Sequence, residues 1–216
     1  MKFQGIVFDF DGTLIDSLGG AAEVFNEALE RLGETPRTLE QIKKYFGTGA
    51  DRILQAVLQD AERARRAFEV YKEIQKTKAL SMPLHGGVPE LLETVAEHRI
   101  PIAIVTGRHS EDLDIVIERH GIASRFVTIV CDNHLANSKP SPEGILLAAE
   151  RMKLSPASLM YVGDSVVDIQ AAKAAGSAAV AALWDSLIDI PKMREQSPHH
   201  YARHPHEIWE IFRGDI

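Results

Sequence analysis

Asp9 and Asp11 stand one residue apart in Asp9-Phe10-Asp11-Gly12-Thr13, directly behind an apolar run. Two carboxylates at the end of a buried strand repel each other and lose hydration. Either they only begin a turn, or a cation holds them there. Three further stretches carry side chains fit for the same work. Val105-Thr106-Gly107-Arg108 offers a hydroxyl and a close-approaching backbone, and Ser138-Lys139-Pro140 an ammonium. Gly163-Asp164-Ser165-Val166-Val167-Asp168 offers two more carboxylates. Each has a local explanation: an Asp-Gly turn, a threonine serving its own backbone, a loop before a capped helix, acids favoured by a helix dipole.

The elements that must position these residues decide between the readings. Apolar runs at 5–8, 100–105, 126–130, 159–162 and 178–183 read as strands buried on both faces, because their apolar character is continuous rather than alternating. Helices at 111–120, 143–153 and 166–175 separate the last four. Ser110 stands as an N-cap for the first, Ser141-Pro142 opens the second, and Gly121 and Gly176 act as stops. The β-α-β order predicts an α/β fold, a doubly wound parallel sheet with a Rossmann-like core. About 90 residues separate the first two strands, far more than one crossover helix needs. Helical patterns at 21–32, 39–45, 51–58 and 61–78 fill that gap. The return runs through Pro83-Leu84-His85-Gly86-Gly87, a hinge, into a helix at 89–97. The expected organisation is a core of 1–16 and 83–216 with an inserted α-helical cap of 17–82. The insert carries eleven Lys/Arg against ten Asp/Glu, which leaves −8 of the total −7 on the remainder.

With that frame, motifs one, two and four lie at strand ends and motif three in a loop approaching the fourth strand. Ligands of open α/β sheets bind at that carboxyl edge. Three aspartates, a threonine and a lysine gathered there suit a hard cation with oxygen ligands.

Asp9-x-Asp11-Gly12-Thr13, Thr106, Lys139 and Gly163-Asp164-x-x-x-Asp168, in this order, resemble the haloacid dehalogenase-like hydrolases over essentially the whole chain. The helical insert behind the first motif is similar to the family's helical-cap subgroup. Leu14-Ile15-Asp16-Ser17, Phe46-Gly47-Thr48-Gly49-Ala50-Asp51 and Ala181-Ala182-Leu183-Trp184 look most like its phosphoglycolate phosphatase branch. The resemblance implies a phosphatase that uses Mg2+ and an aspartyl-phosphate intermediate on a small phosphomonoester such as 2-phosphoglycolate. It implies Asp9 as nucleophile, Asp11 as acid and base, and Thr106, Gly107 and Lys139 as the phosphate cradle. Metal ligation falls to Asp9, Asp164 and the Asp11 main-chain carbonyl, with Asp168 in or just behind that shell. The cap loop, with Gly47, Thr48 and Arg52, would read the substrate beyond its phosphate. Many relatives carry asparagine where this chain has Gly107. A phosphosugar mutase of the β-phosphoglucomutase type is the rival enzyme. A phospho-accepting signalling domain is the rival from another class, disfavoured by the large helical insert and by the second aspartate.

Composition narrows the setting. A formal charge of −7 argues against nonspecific nucleic-acid or anionic-membrane binding, and no apolar stretch reaches a bilayer span. Cys131 is the sole cysteine, and the N-terminus lacks a charged-then-apolar signal pattern, so a cytoplasmic setting is expected. The expected partner is a small phosphorylated metabolite, for a chain acting as monomer or homodimer. Cys131 reads as core, and His199, His200, His204 and His206 look like a metal tract, against which stand magnesium's preference for oxygen and the lack of a cysteine nearby. Arg108 and His109 border the expected site without an assigned role.

Overall fold

Residues 3–216 are described by a computed structural model; positions 1 and 2 of the 1–16 segment lie outside the described residues. Six strands form one parallel sheet: β1 (Gly5–Phe8), β2 (Ile102–Val105), β3 (Thr128–Val130), β4 (Leu159–Gly163), β5 (Ala178–Ala182) and β6 (His200–Ala202). Their order is β3-β2-β1-β4-β5-β6. β1 is therefore central, with Phe8 opposite Ile104 on one side and Val162 on the other.

Neighbouring residues on each strand serve opposite faces. Ile6, Phe8, Ile104, Met160 and Val162 join one apolar cluster, and Val7, Ala103, Val105, Leu159 and Tyr161 the other. Burial on both faces is why these strands read as unbroken apolar runs. The first face is covered by α5 (Val88–Glu97), α6 (Ser110–His120) and α10 (His206–Arg213), the second by α7 (Glu143–Met152), α8 (Val166–Ala175) and α9 (Ile190–Glu195).

Between β1 and β2 come α1 (Leu18–Arg31), α2 (Leu39–Lys43), α3 (Ala50–Leu58) and α4 (Ala61–Lys78). They bury a cluster of their own, with Phe25, Leu29, Ile42, Ile53, Leu54 and Leu58 at its centre. The two places where the chain passes between sheet and insert are zipped together. Ile15 bridges Leu84 antiparallel, Asp16 N–H donates to Pro83 O, and His85 N–H donates to Leu14 O.

Several boundaries differ from expectation. β6 and α9–α10 extend the fold past the fifth expected strand. α1 begins at Leu18 rather than 21, running through Gly19 and Gly20, while Ser17 donates its hydroxyl to Asp11 instead of capping the helix. Ser110 is the first helical residue of α6, not its N-cap, which is His109. Asn133 explains the difference: its Oδ1 accepts the Ser110 N–H and its Nδ2 donates to the Ser110 hydroxyl. No helix among the described residues is long and apolar enough to cross a membrane.

Candidate active site

The sheet order puts the ends of β1 and β4 side by side at the point where the winding reverses, the usual ligand crevice of such folds. Asp9 continues the ladder one residue beyond β1, its N–H donating to Val162 O, and Thr106 does the same beyond β2, donating to Val130 O. Asp164 follows β4 directly and accepts from the Thr13 hydroxyl at 2.8 Å. Thr13 is itself anchored, since its carbonyl accepts the Trp184 indole N–H at 2.9 Å.

Lys139 reaches this edge from the loop before α7. Its Nζ donates to Asp9 Oδ1 at 2.8 Å and to Asp168 Oδ1 at 2.6 Å. Burial alone would strip its proton, but Asp168 and Asp9 outweigh burial and raise its pKa well above the ordinary lysine value. Asp168 serves two ends at once. Oδ2 accepts the N–H and hydroxyl of Ser165, closing the capping box that starts α8, while Oδ1 takes Lys139 and the Tyr161 hydroxyl. Each oxygen has two donors, so this carboxylate positions Lys139 and the α8 terminus.

Oxygens of Asp9, Asp164 and Asp168 lie within 4.8 Å of one another. Two of these carboxylates hold the Lys139 ammonium, and three against one leaves an oxygen-only donor set with surplus negative charge, which fits a hard divalent cation. The electrostatics agree. Burial, then the Asp168 charge, pushes the Asp9 pKa up to about 7 against the pull of Lys139. Burial, Asp9 and Asp168 raise Asp164 well above the carboxylate range.

Asp11 is held differently. The Arg108 guanidinium grips it with two bonds, Nε to Oδ2 at 2.7 Å and Nη2 to Oδ1 at 2.6 Å, and the Ser17 hydroxyl adds a third at 2.5 Å. Burial pulls the Asp11 carboxyl up, but Arg108 and Ser17 outweigh it and hold it below the ordinary range.

Asp9, Asp11, Thr106, Gly107 and Arg108 open into a cavity of about 80 Å3 roofed by the inserted helices, with Leu18, Phe25, Phe46, Gly47 and Tyr71 among its walls. Gly47 and Thr48 therefore reach the chamber, although the Thr48 hydroxyl is spent on Tyr45 O. Arg52, expected beside them, is not brought in. It lies about half exposed in a separate surface hollow with Gln55 and Arg65, 3.8 Å from Asp132 Oδ2. It sits one position after Asp51 on α3, and the buried Asp132 carboxylate draws it to the outer side of the junction.

The chain's similarity to known proteins follows this geometry. The family profile described as "Haloacid dehalogenase-like hydrolase" matches residues 6–182, most of the sheet and the entire insert. The chain belongs to the haloacid dehalogenase-like hydrolases. Among relatives of this hydrolase, the phosphoglycolate phosphatase of Photobacterium profundum is 31% identical over 189 residues, covering 81% of this chain and 82% of the relative. The N-acetylmuramic acid 6-phosphate phosphatase of Pseudomonas aeruginosa is 26% identical over 223 residues, covering 98% and 95%. A solved hydrolase of Pseudomonas syringae superposes with a TM-score of 0.87 at 22% identity, over 98% of both chains, which concerns the fold. The activity class follows from these relatives: this haloacid dehalogenase-like hydrolase is a phosphoric monoester hydrolase.

Gly107 has a local reason in this hydrolase. A Cβ there would sit 3.1–3.2 Å from the backbone of Thr48 and Gly49, so glycine allows the insert loop to press on the turn after β2. An asparagine would push that loop away. Sequence reading passed over Tyr161, whose hydroxyl supports Lys139 and Asp168 from inside β4. It also gave Arg108 no partner. A tyrosine in an otherwise apolar strand was the available signal for the first; nothing local signals the second. Cys131 is buried, and burial, with Asp114 and Asp132, pushes its thiol up to about 12. His199 Nδ1 accepts the Ala179 N–H, tying β6 to β5, and His204 stacks on His206.

Proposed function

We propose that the chain is a magnesium-dependent phosphatase of small phosphomonoesters, acting through a phosphoryl group carried on Asp9. The observation that carries this reading is the Lys139 ammonium lodged between Asp9 and Asp168 with Asp164 alongside. It fixes a buried carboxylate beside a cation where a phosphoryl group would meet both. In the first step an Asp9 oxygen attacks phosphorus, an O–P bond forms, and the bond to the leaving alkoxide breaks. Asp11 gives that oxygen a proton, then takes one from the water that attacks the aspartyl-phosphate, and inorganic phosphate leaves. Both Asp11 oxygens are gripped by donors at rest and its carboxyl is held low, so this service needs the Arg108 fork to open and the freed carboxyl to take a proton from solvent before it donates one. Lys139 offsets charge on the phosphoryl oxygens while the Thr106 hydroxyl and Gly107 N–H hold them. Bound by Asp9, Asp164 and the Asp11 carbonyl, magnesium would supply positive charge against those same oxygens. Asp168 keeps Lys139 in place.

We read residues 17–82 as a cap that closes the chamber against water. Its cavity of about 80 Å3 is well below the ~300–1,000 Å3 of drug-sized pockets and supports a small substrate. The relatives named phosphoglycolate phosphatase support 2-phosphoglycolate as first candidate. Arg108 is the one guanidinium among the described residues that line the chamber, and would meet its carboxylate. A lone cysteine and a small metabolite suit a cytoplasmic setting.

A phosphate-release screen over small phosphomonoesters, run with Asp9→Asn alongside, tests the chemistry. Wild type should release phosphate with magnesium present. The folded variant should lose at least ~10³-fold in kcat, because an amide cannot make the attack. Near-normal turnover by Asp9→Asn would overturn the mechanism.

A further inference from the structure

His85 lies in the return segment from the insert and is nine-tenths buried. Its Nε2 has no hydrogen-bond partner, although it sits 3.5 Å from Asp185 Oδ2. Asp16, in the outgoing segment, brings a third ligand atom within 4.8 Å of both. Asp185 is buried as well. Its Oδ1 accepts the Leu187 N–H, which fixes the carboxylate and leaves Oδ2 turned toward the imidazole.

An imidazole nitrogen in that position is poorly served. Burial pulls the His85 pKa below the ordinary histidine value, against the upward pull of Asp185, Asp16 and a hydrogen bond to the Gly12 backbone. A buried polar atom without a partner is costly, and here Asp185 and Asp16 lie beside it. A cation seated among the three would satisfy all of them. The spacing suits one: two ligands at ~2.1 Å on a tetrahedral ion lie ~3.4 Å apart, beside the 3.5 Å from Nε2 to Oδ2. One nitrogen with two carboxylate oxygens favours a borderline ion such as Zn2+ over magnesium, which prefers oxygen alone. Asp16 is exposed, so the position is open to entry and to a water as fourth ligand.

We propose that Asp16, His85 and Asp185 form a second metal site, structural in role and specific for a divalent transition ion of the Zn2+ type. Its place in the fold gives the role. Asp16 belongs to the outgoing crossing, His85 to the returning one, and Asp185 to the loop after β5. A bound ion would clamp both crossings of the inserted helices to the sheet. The proposal rests on side chains outside the Asp9 cluster and stands whatever the substrate.

Zn2+ binding to the full chain, without a histidine tag and in saturating magnesium, tests it. One Zn2+ per chain should bind and raise the Tm. His85→Ala and Asp185→Asn should each weaken that binding at least ~10-fold and abolish the Tm gain, whereas Asp164→Asn should leave both intact. Should His85→Ala fail to fold, Asp185→Asn decides. The proposal is overturned if no Zn2+ binds beside magnesium. It is equally overturned if binding survives in Asp185→Asn, which would place the ion elsewhere, for instance on His204 and His206.

Discussion

Arg108 and Arg52 show how little residue type says about role. Both are arginines near the junction of insert and sheet. Arg108 packs against Asp11 and lies over the Phe10 ring, and the Gln75 amide beside it, turned so that its oxygen faces the guanidinium, would accept from Nη1 at 2.8 Å. Arg52 is half exposed and faces Asp132 at 3.8 Å. Surface pairs of the second kind contribute at most ~1 kcal/mol. A buried bidentate fork is another matter, since removing one partner strands the other's charge. Arg108→Gln should therefore raise KM for 2-phosphoglycolate at least ~10-fold more than KM for ethyl phosphate, which has no carboxylate to meet. Arg52→Ala should leave the ratio of the two unchanged. Parallel kinetics on both esters check this; an unchanged ratio in Arg108→Gln would remove the carboxylate reading and leave the phosphatase chemistry standing.

At the scale of elements, the loop between α2 and α3 is where the insert touches the catalytic edge. Gly47 has φ of +90°, and a Cβ there would run into the Ser165 hydroxyl and Val167. Ser165 caps α8 immediately after Asp164. A side chain at 47 would thus strain its own backbone and push on the residue beside a candidate ligand. Gly47→Ala should cost more than ~1 kcal/mol in stability, seen as a lower Tm. It should also raise KM by shifting Thr48 and the roof of the chamber. Unaltered Tm and KM would mean that the loop gives way freely and does not register the insert on the sheet.

The whole molecule carries a pH signature set by the buried carboxylates. Burial and the Asp168 charge hold the Asp9 pKa at about 7 in the folded chain, against 3.8 for an ordinary aspartate, and Asp164 is raised too. A carboxyl whose folded pKa is raised stabilises the fold below its unfolded pKa, and that contribution is lost as pH rises through the folded value. Metal-free protein should therefore lose stability between about pH 4 and pH 7 from these groups. Magnesium held there, as proposed, would take the ionised form, so protons would compete with it below about pH 7. The rise in Tm on adding magnesium should be larger at pH 8 than at pH 5.5. Differential scanning at the two pH values reads this directly; an equal rise at both would argue against ligation by Asp9 and Asp164.

Much of this was open to inspection in the linear chain. A doubly buried parallel strand must be apolar throughout, so β1, β2, β4 and β5 announced themselves. The acids placed directly after β1 and β4 could be assigned to the carboxyl edge before any coordinates. β6, with only His200, Tyr201 and Ala202, has no such run, because an edge strand is covered less fully and needs less apolar character. Tertiary structure alone decided the rest. Asp11 meets Arg108 across 97 positions, Lys139 meets Asp9 across 130, and His85 meets Asp185 across 100. Sequence periodicity reports which face of an element is buried, and it is blind to what stands opposite. Whether Arg52 or Arg108 entered the chamber depended on the packing of α3 and α4 against the sheet edge. In that packing the Gly49 and Gly107 backbones press together, a Cβ on Gly49 falling 3.1 Å from Gly107 O and one on Gly107 3.2 Å from Gly49 N, a contact that exists only once the chain has closed on itself.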